Sequence, residues 1–462
     1  MSVNSGQKQK NKPYVGTLPS MRLEQEISHR IRPNATMEKE VRATTERLVN
    51  AVRKATSAIE GVTDVKVVGS VAKGTFLSRP DIDIFIIFDE KVARQNMDRA
   101  GLDIGRKLLV EREERYAEHP YVHGMFDGFE ADIVPCYGIK DPSKLVSAVD
   151  RTPFHTDYML AHLKQGQRDE VRVLKQFMKG IGTYGAEAKV QGFSGYLTEL
   201  LILRYGDFRS VLERASNWKY GTKLELEGKG KTTFETALIF YDPVDNNRNV
   251  ASALSLEKFS RFVHACKEYL VKPDERYFFP NERKPLASRN ILKLLDESGM
   301  KVVVVRMERP DIIDDNLYPQ ARKTQEGLGS LLQHEGFAVQ DKALSVDRKS
   351  VYMAYLLESD GLTPAKKHIG PPIWLDNAEE FLKRWRSEAI AQPYIEDGRW
   401  VALVPRRNRL AKTTIEEGAS GAALGSAFKN VKIEVFDHEG TAREGFETVL
   451  SAMLDKRMPW DV

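Results

Sequence analysis

Cysteine is almost missing from this chain: 462 residues contain two, Cys136 and Cys266. They lie far apart and lack C-x-x-C spacing, which excludes a disulfide framework and a cysteine-rich zinc site and points to the reducing cytoplasm. Long hydrophobic runs are missing too. No window approaches the roughly 18 consecutive apolar residues of a membrane span, and the run Ile82–Phe88 is interrupted by Asp83, so no membrane partner is expected. The N-terminal MSVNSGQKQKNKPYVG lacks the apolar segment of a signal peptide and reads as a flexible basic tail over residues 1–19. A surplus of either charge is also missing: 70 Lys and Arg against 66 Asp and Glu leave +4. A dedicated nucleic-acid binder is usually more basic, so a polyanion partner requires local clusters.

What is present suits a folded protein with a substantial core, 41% hydrophobic and 29% charged, long enough for about three compact units. Asn34 and Thr36 are helix caps ahead of Met37, Val41, Leu48, Val52 and Ile59, which follow helical spacing up to Gly61. A short strand at Val65–Val68, a Gly-Ser turn, a strand at Ile82–Phe88, a helix over Val92–Val110 and a strand at Phe129–Val134 ended by Pro135 complete an α/β unit. From Tyr158 to about Lys272 the pattern is mainly helical. Beyond it, strands near 301–306, 350–357 and 400–404 with helices near 318–336 and 377–388 give an α+β half with ferredoxin-like pieces. The fold class is therefore α+β multidomain.

The informative stretch is VVGSVAKGTFLSRPDIDIFIIF, Val67–Phe88. Gly69-Ser70 follows one strand, and after ten intervening residues Asp81-Ile82-Asp83 opens the next. Strand alternation puts Asp81 and Asp83 on one face, with Ile82 and Ile84 on the other. Paired carboxylates repel unless a cation lies between them, and an oxygen-only pair suits Mg²⁺ together with substrate phosphates. The Gly-Ser turn offers free backbone N–H groups to an anion, and Lys73 stands one turn further on. A third acid lies on the strand at Phe129–Val134, where Glu130 and Asp132 share a face. Spacing alone does not choose between them.

Three other patterns lead nowhere. Gly180-Ile-Gly182-Thr-Tyr-Gly185 matches G-x-G-x-x-G but follows a helical pattern, so it reads as a helix cap and loop. Lys73-Gly74-Thr75 lacks the glycine that a P-loop places before its lysine. His119 and His123 have Pro120 between them, which excludes a helical zinc pair.

Gly69-Ser70 with Asp81-x-Asp83 resembles the nucleotidyltransferase signature of polymerase-β-like enzymes. AVDRTPFH (148–155), YGAE (184–187), KVQGFSGYLTELL (189–201), DPVDNNRNVA (242–251) and PDIIDDNLYPQ (310–320) narrow the resemblance to the archaeal, class I CCA-adding enzymes, over residues 20 to 460. That resemblance implies a nucleotidyltransferase α/β head at 20–152, a helical neck at 153–272, and an α+β body and tail at 273–462 that bind tRNA. It implies template-independent addition of C, C and A to the tRNA 3′ end from CTP and ATP. Asp81, Asp83 and Asp132 would be the catalytic, metal-binding acids for two Mg²⁺ ions. Gly69, Ser70, Lys73, His155, Lys175 and Tyr184 would bind the nucleotide, and Arg261 would read its base. The acceptor arm of tRNA is the expected partner, and a homodimer is admitted. The family often carries glutamate where Asp81 stands and arginine where Lys73 stands. The first change shortens reach, and the second loses bidentate phosphate geometry.

Two other readings share the head: a poly(A) polymerase or oligoadenylate synthase, and an RNA-binding relative with an inactive head. Locally, the charge also reads differently. The first 60 residues carry eleven Lys and Arg against six Asp and Glu, and Arg406, Arg407, Arg409 and Lys412 cluster near the C-terminus. The +4 is the sum of acid for metal and base for RNA.

Overall fold

The computed structural model describes residues 18–116, 119–139, 147, 149–227, 230, 232–441 and 445–462. It divides into two compact units: Met1–Glu282 together with Met458–Val462, and Arg283–Arg457. Of the expected tail, residues 1–17 lie outside the described residues, and Leu18 already opens a helix. Among the described residues no helix is long and apolar enough to cross a membrane. Both cysteines are free and buried.

The first unit opens with α1 (Leu18–Ile31) and α2 (Ala35–Thr56). Met37 N–H donates to the Asn34 side chain at 2.8 Å, the expected cap, and Val41, Leu48 and Val52 form the buried face of α2. Next come β1 (Val62–Val67), the short α3 (Gly69–Lys73), β2 (Ile82–Phe88), α4 (Arg94–Leu108), β3 (Val110–Tyr116), β4 (Pro120–Phe126) and β5 (Phe129–Tyr137). The five strands form one sheet in the order β1-β2-β5-β4-β3. β2 and β5 are parallel and interior, which is why IDIFIIF reads as an apolar run. Gly101 and Gly105 let α4 lie close on this sheet: a Cβ on Gly101 would stand 2.6 Å from Pro135, and one on Gly105 would collide with Val122.

Two features depart from expectation. β5 continues through Pro135 to Tyr137, because β4 pairs with it only from Phe129 to Ile133 and the proline is bridged to β2 alone. The strands β3 and β4 occupy a stretch whose alternation was not apolar enough to announce them.

The helical layer follows as α5 (Thr152–His162), α6 (Gln167–Gly180), α7 (Gly195–Tyr205) and α8 (Phe208–Ala215), then the paired strands β6 (Thr222–Leu224) and β7 (Leu238–Phe240), and α9 (Leu256–Val271). Its core is aromatic. The Phe177 ring is surrounded by Phe208, Phe262, Tyr269 and Phe278 at centroid separations of 5.5–6.3 Å.

The second unit carries α10 (Ser288–Ser298), β8 (Lys301–Glu308), α11 (Asp314–Glu335), β9 (Val339–Val346), β10 (Ser350–Leu357), β11 (Ala365–Pro372), α12 (Ala378–Glu388), β12 (Ala391–Glu396), β13 (Arg399–Pro405) and, beyond a helix at Ala411–Gly418, β14 (Ile433–Phe436). The four-stranded antiparallel sheet runs β14-β8-β10-β9, with α11 joining β8 to β9. That order is the split βαβ arrangement of ferredoxin-like folds, as expected. A three-stranded sheet, β11-β13-β12, is inserted before the last strand.

Candidate active site

Parallel pairing of β2 and β5 sets the acids side by side. Asp83 is the register partner of Asp132, and Ile82 that of Ala131. Alternation buries Ile82, Ile84 and Ile86 completely and leaves Asp81 and Asp83 on the opposite face. On the other side of β5, His123 of β4 stands opposite Asp132, its Nδ1 2.7 Å from Oδ1. Glu130 of β5 adds a further negative charge beside Asp81.

Burial, together with neighbouring carboxylates, raises the pKa of all three aspartates. Burial, then Asp132 and Asp81, push Asp83 up to about 7, with Lys73 opposing. Asp81, the most exposed, is raised by desolvation and then by Glu130 and Asp132. Asp132 is raised by burial, partly offset by His123. Such a donor set, all oxygen and mutually repelling, fits a hard divalent cation. Among the described residues no three His, Cys, Asp or Glu side chains are gathered into a metal cage.

The turn after β1 closes against this face. Gly69 has φ +69°, and a Cβ there would collide with Asp83 Oδ2. Only glycine meets both demands. Ser70 follows in α3, whose first residues have no side-chain cap, and Lys73 ends the helix. The Lys73 ammonium is buried and donates to Glu199 Oε2 of α7 at 2.6 Å. Thr75 donates to the other oxygen of Glu199 at 2.6 Å. Lys175 of α6 donates to Thr75 Oγ1 at 3.2 Å and to the Thr75 carbonyl at 3.1 Å, and lies 3.4 Å from Glu199. Burial brings Lys175 down to about 8 despite Glu199.

His155 of α5 is half-buried and stacks on Tyr196 with centroids 3.9 Å apart. Its Nε2 is 2.8 Å from Asp242, which also accepts from Arg248 at 2.9 Å, from Val244 N–H at 3.0 Å and from the Tyr196 hydroxyl at 3.2 Å. Burial holds His155 below the usual imidazole range. The loop that ends α6, a cap and loop as expected, carries Tyr184. Burial raises its hydroxyl, and the charges of Glu199, Glu187 and Asp81 add to the effect.

Several of these residues feel one another's charge. The field of Lys73 acts on Asp83, His155 and Lys175, and that of Asp81 on Tyr184. Arg261 stands apart. On α9 it is paired with Glu257 at 2.9 Å, and a Cβ on Gly182 of the loop would stand 3.4 Å from its guanidinium. Sequence reasoning missed His123, Thr75, Glu199, Asp242 and Tyr196. His123 was visible only as a failed zinc spacing, because its partner is set by strand register. His119, the other half of that spacing, is buried and 3.2 Å from Asp98.

Residues 49–155 match the nucleotidyltransferase domain family, 169–279 the second domain of tRNA nucleotidyltransferase, and 298–437 the C-terminal domain of CCA-adding enzymes. Curated relatives named CCA-adding enzyme align over most of their length. The Methanosarcina barkeri protein is 37% identical over 94% of this chain and 95% of its own. The Methanothermobacter thermautotrophicus protein is 41% identical over 85% and 88%, and the Archaeoglobus fulgidus protein 39% over 77% and 80%. A solved structure of the Cid1 RNA terminal uridylyl transferase covers 57% of this chain at 12% identity and a TM-score of 0.43, too distant to add weight. Three domain matches in chain order and identities of this size over nearly the whole length leave one assignment: the chain belongs to the family of archaeal CCA-adding enzymes.

Proposed function

We propose that this chain adds C, C and A to the 3′ end of tRNA, one nucleotide at a time and without a nucleic-acid template, using CTP and ATP and releasing pyrophosphate. The observation that carries the catalytic part is the register of Asp83 with Asp132, with Asp81 on the same face and the Gly69-Ser70 turn against it. Asp81, Asp83 and Asp132 would hold two Mg²⁺ ions, which when bound acidify the attacking hydroxyl and neutralise the departing pyrophosphate. The family is one of divalent-metal-dependent transferases.

The chain's own groups bind and orient. Gly69 and Ser70 offer backbone N–H groups to the triphosphate, and Lys73 and Lys175 supply positive charge beside it. His155 and Tyr184 extend the site from the helical layer, and Arg261 donates to the incoming base. In the reaction the tRNA 3′-hydroxyl attacks the α-phosphate in line. Residues 273–462 hold the acceptor arm, and the site of action is the cytoplasm. Sedimentation decides whether a second copy of the chain is a partner.

The test supplies tRNA lacking CCA, CA or A with CTP and ATP separately. CTP should extend the substrates lacking CCA and CA, and ATP only the one lacking A. Long A-tails from ATP on a generic RNA would favour a poly(A) polymerase. Asp83→Ala should abolish both incorporations with tRNA binding retained, and retained incorporation in Mg²⁺ would refute the site.

A further inference from the structure

Beneath the signature turn lies a cluster of buried charge that the assignment of nucleotide-contacting residues does not explain. Glu199 is completely buried, and its two oxygens are fully used by Lys73, Thr75 and Lys175. Three separate elements meet there: the end of α3 with its loop, α6 and α7. Two ammonium groups face one carboxylate, so the cluster holds a surplus positive charge out of water.

As a stability device this is a poor choice. Desolvating two cations and an anion costs about what their attraction returns, and a hydrophobic packing of the same volume is often as stable. As a device for placing cations it is a good one. A lysine ammonium on a four-carbon stem is a mobile point charge, and a fixed carboxylate pins it. The Thr75 hydroxyl donates to Glu199 and accepts from Lys175, so both lysines are tied to one frame. The field of the cluster also reaches Asp83, His155 and Tyr184.

We propose that Glu199 is a positioning residue for nucleotide binding: it fixes the ammonium groups of Lys73 and Lys175, one from the signature turn and one from α6, in one frame beneath the turn that would receive a triphosphate. The proposal rests on the reading that these lysines contact the triphosphate, and it goes beyond that reading by naming what sets them. Charge counting alone predicts the opposite outcome. Glu199→Gln raises the net charge of the cluster by one and would tighten anion binding if Glu199 were only a counterweight.

The experiment measures binding of a non-hydrolysable CTP analogue with MgCl₂ to the full-length protein, together with binding of tRNA lacking CCA. Lys73→Met and Lys175→Met should each weaken analogue binding about tenfold, the worth of a charge-assisted hydrogen bond. Glu199→Gln should weaken it by a similar factor without changing tRNA affinity. In the Lys175→Met background the same substitution should cost much less, since both act through one ammonium. Thr75→Val leaves all three charges in place and should weaken binding about threefold, and it decides the matter if Glu199→Gln does not fold. Tighter or unchanged analogue binding by Glu199→Gln and Thr75→Val, with both lysine variants weakened, overturns the positioning role alone. Unchanged binding by both lysine variants overturns the triphosphate reading, and the role of Glu199 with it.

Discussion

Asp83 shows what a single residue stores in this site. Burial and two neighbouring carboxylates raise it to about 7 from an ordinary 3.8. The folded state therefore binds more protons than the unfolded chain between these values. Stability of the metal-free protein should fall as pH rises from about 4 to about 7, and the loss should be complete above 7. Asp83→Asn removes this dependence. In EDTA, wild type should lose about 2–5 °C of Tm relative to Asp83→Asn between pH 5 and pH 8. Mg²⁺ at pH 8 should restore wild type and leave the variant unmoved. A difference between the two proteins that does not change with pH would mean that the carboxylate is neither crowded nor desolvated. The aspartate pair itself was legible in the sequence, because D-x-D on an apolar strand puts both acids on one face. Its neighbours were not: Asp132 meets His123, and Lys73 meets Glu199, only through pairings between segments distant in the chain.

At the scale of elements, the sequence announces whatever is periodic or sterically special. β2 was readable to the residue because both its faces are buried. β3, VEREERY, was not, because it is an edge strand whose charges keep the sheet from pairing further. Pro135 misled because a proline inside a strand is allowed where only one neighbour needs its backbone. The turn Gly69–Lys73 is the opposite case, an element whose sequence has no freedom. Gly69→Ala demands a left-handed backbone from a residue with a Cβ, at about 1–2 kcal/mol, and drives that Cβ into Asp83. The collision is relieved only by moving the carboxylate or the turn, and both belong to the proposed nucleotide site. Nucleotide incorporation should fall at least about 100-fold, the scale of a misplaced reacting group. Circular dichroism should still show a folded protein with Tm lowered by only a few degrees. Near-normal incorporation would show that the turn does not need its closeness to Asp83.

For the whole molecule, the chain path holds a feature that no local pattern marks. After the second unit ends at Arg457, the last five residues belong to the first. Trp460 is almost fully buried there. It stacks on Tyr277 with centroids 5.0 Å apart and lies 6.1 Å from His264. Tyr277 in turn stacks on Phe177, the centre of the aromatic core under α6, and Asn281 donates to the Val462 carbonyl at 2.8 Å. MPWDV read alone is too short for any periodicity, so only the folded path reveals that it completes the core of the catalytic unit. Trp460→Ala should therefore cost about 3–5 kcal/mol, the range for emptying a large aromatic site. The loss should appear where the ring packs. Amide hydrogen exchange should accelerate in α9 and around Tyr277, while β8 and β10 of the second unit keep their protection. Equal acceleration in both units would show that the two unfold as one, and acceleration in neither would mean that the tryptophan carries no part of the core.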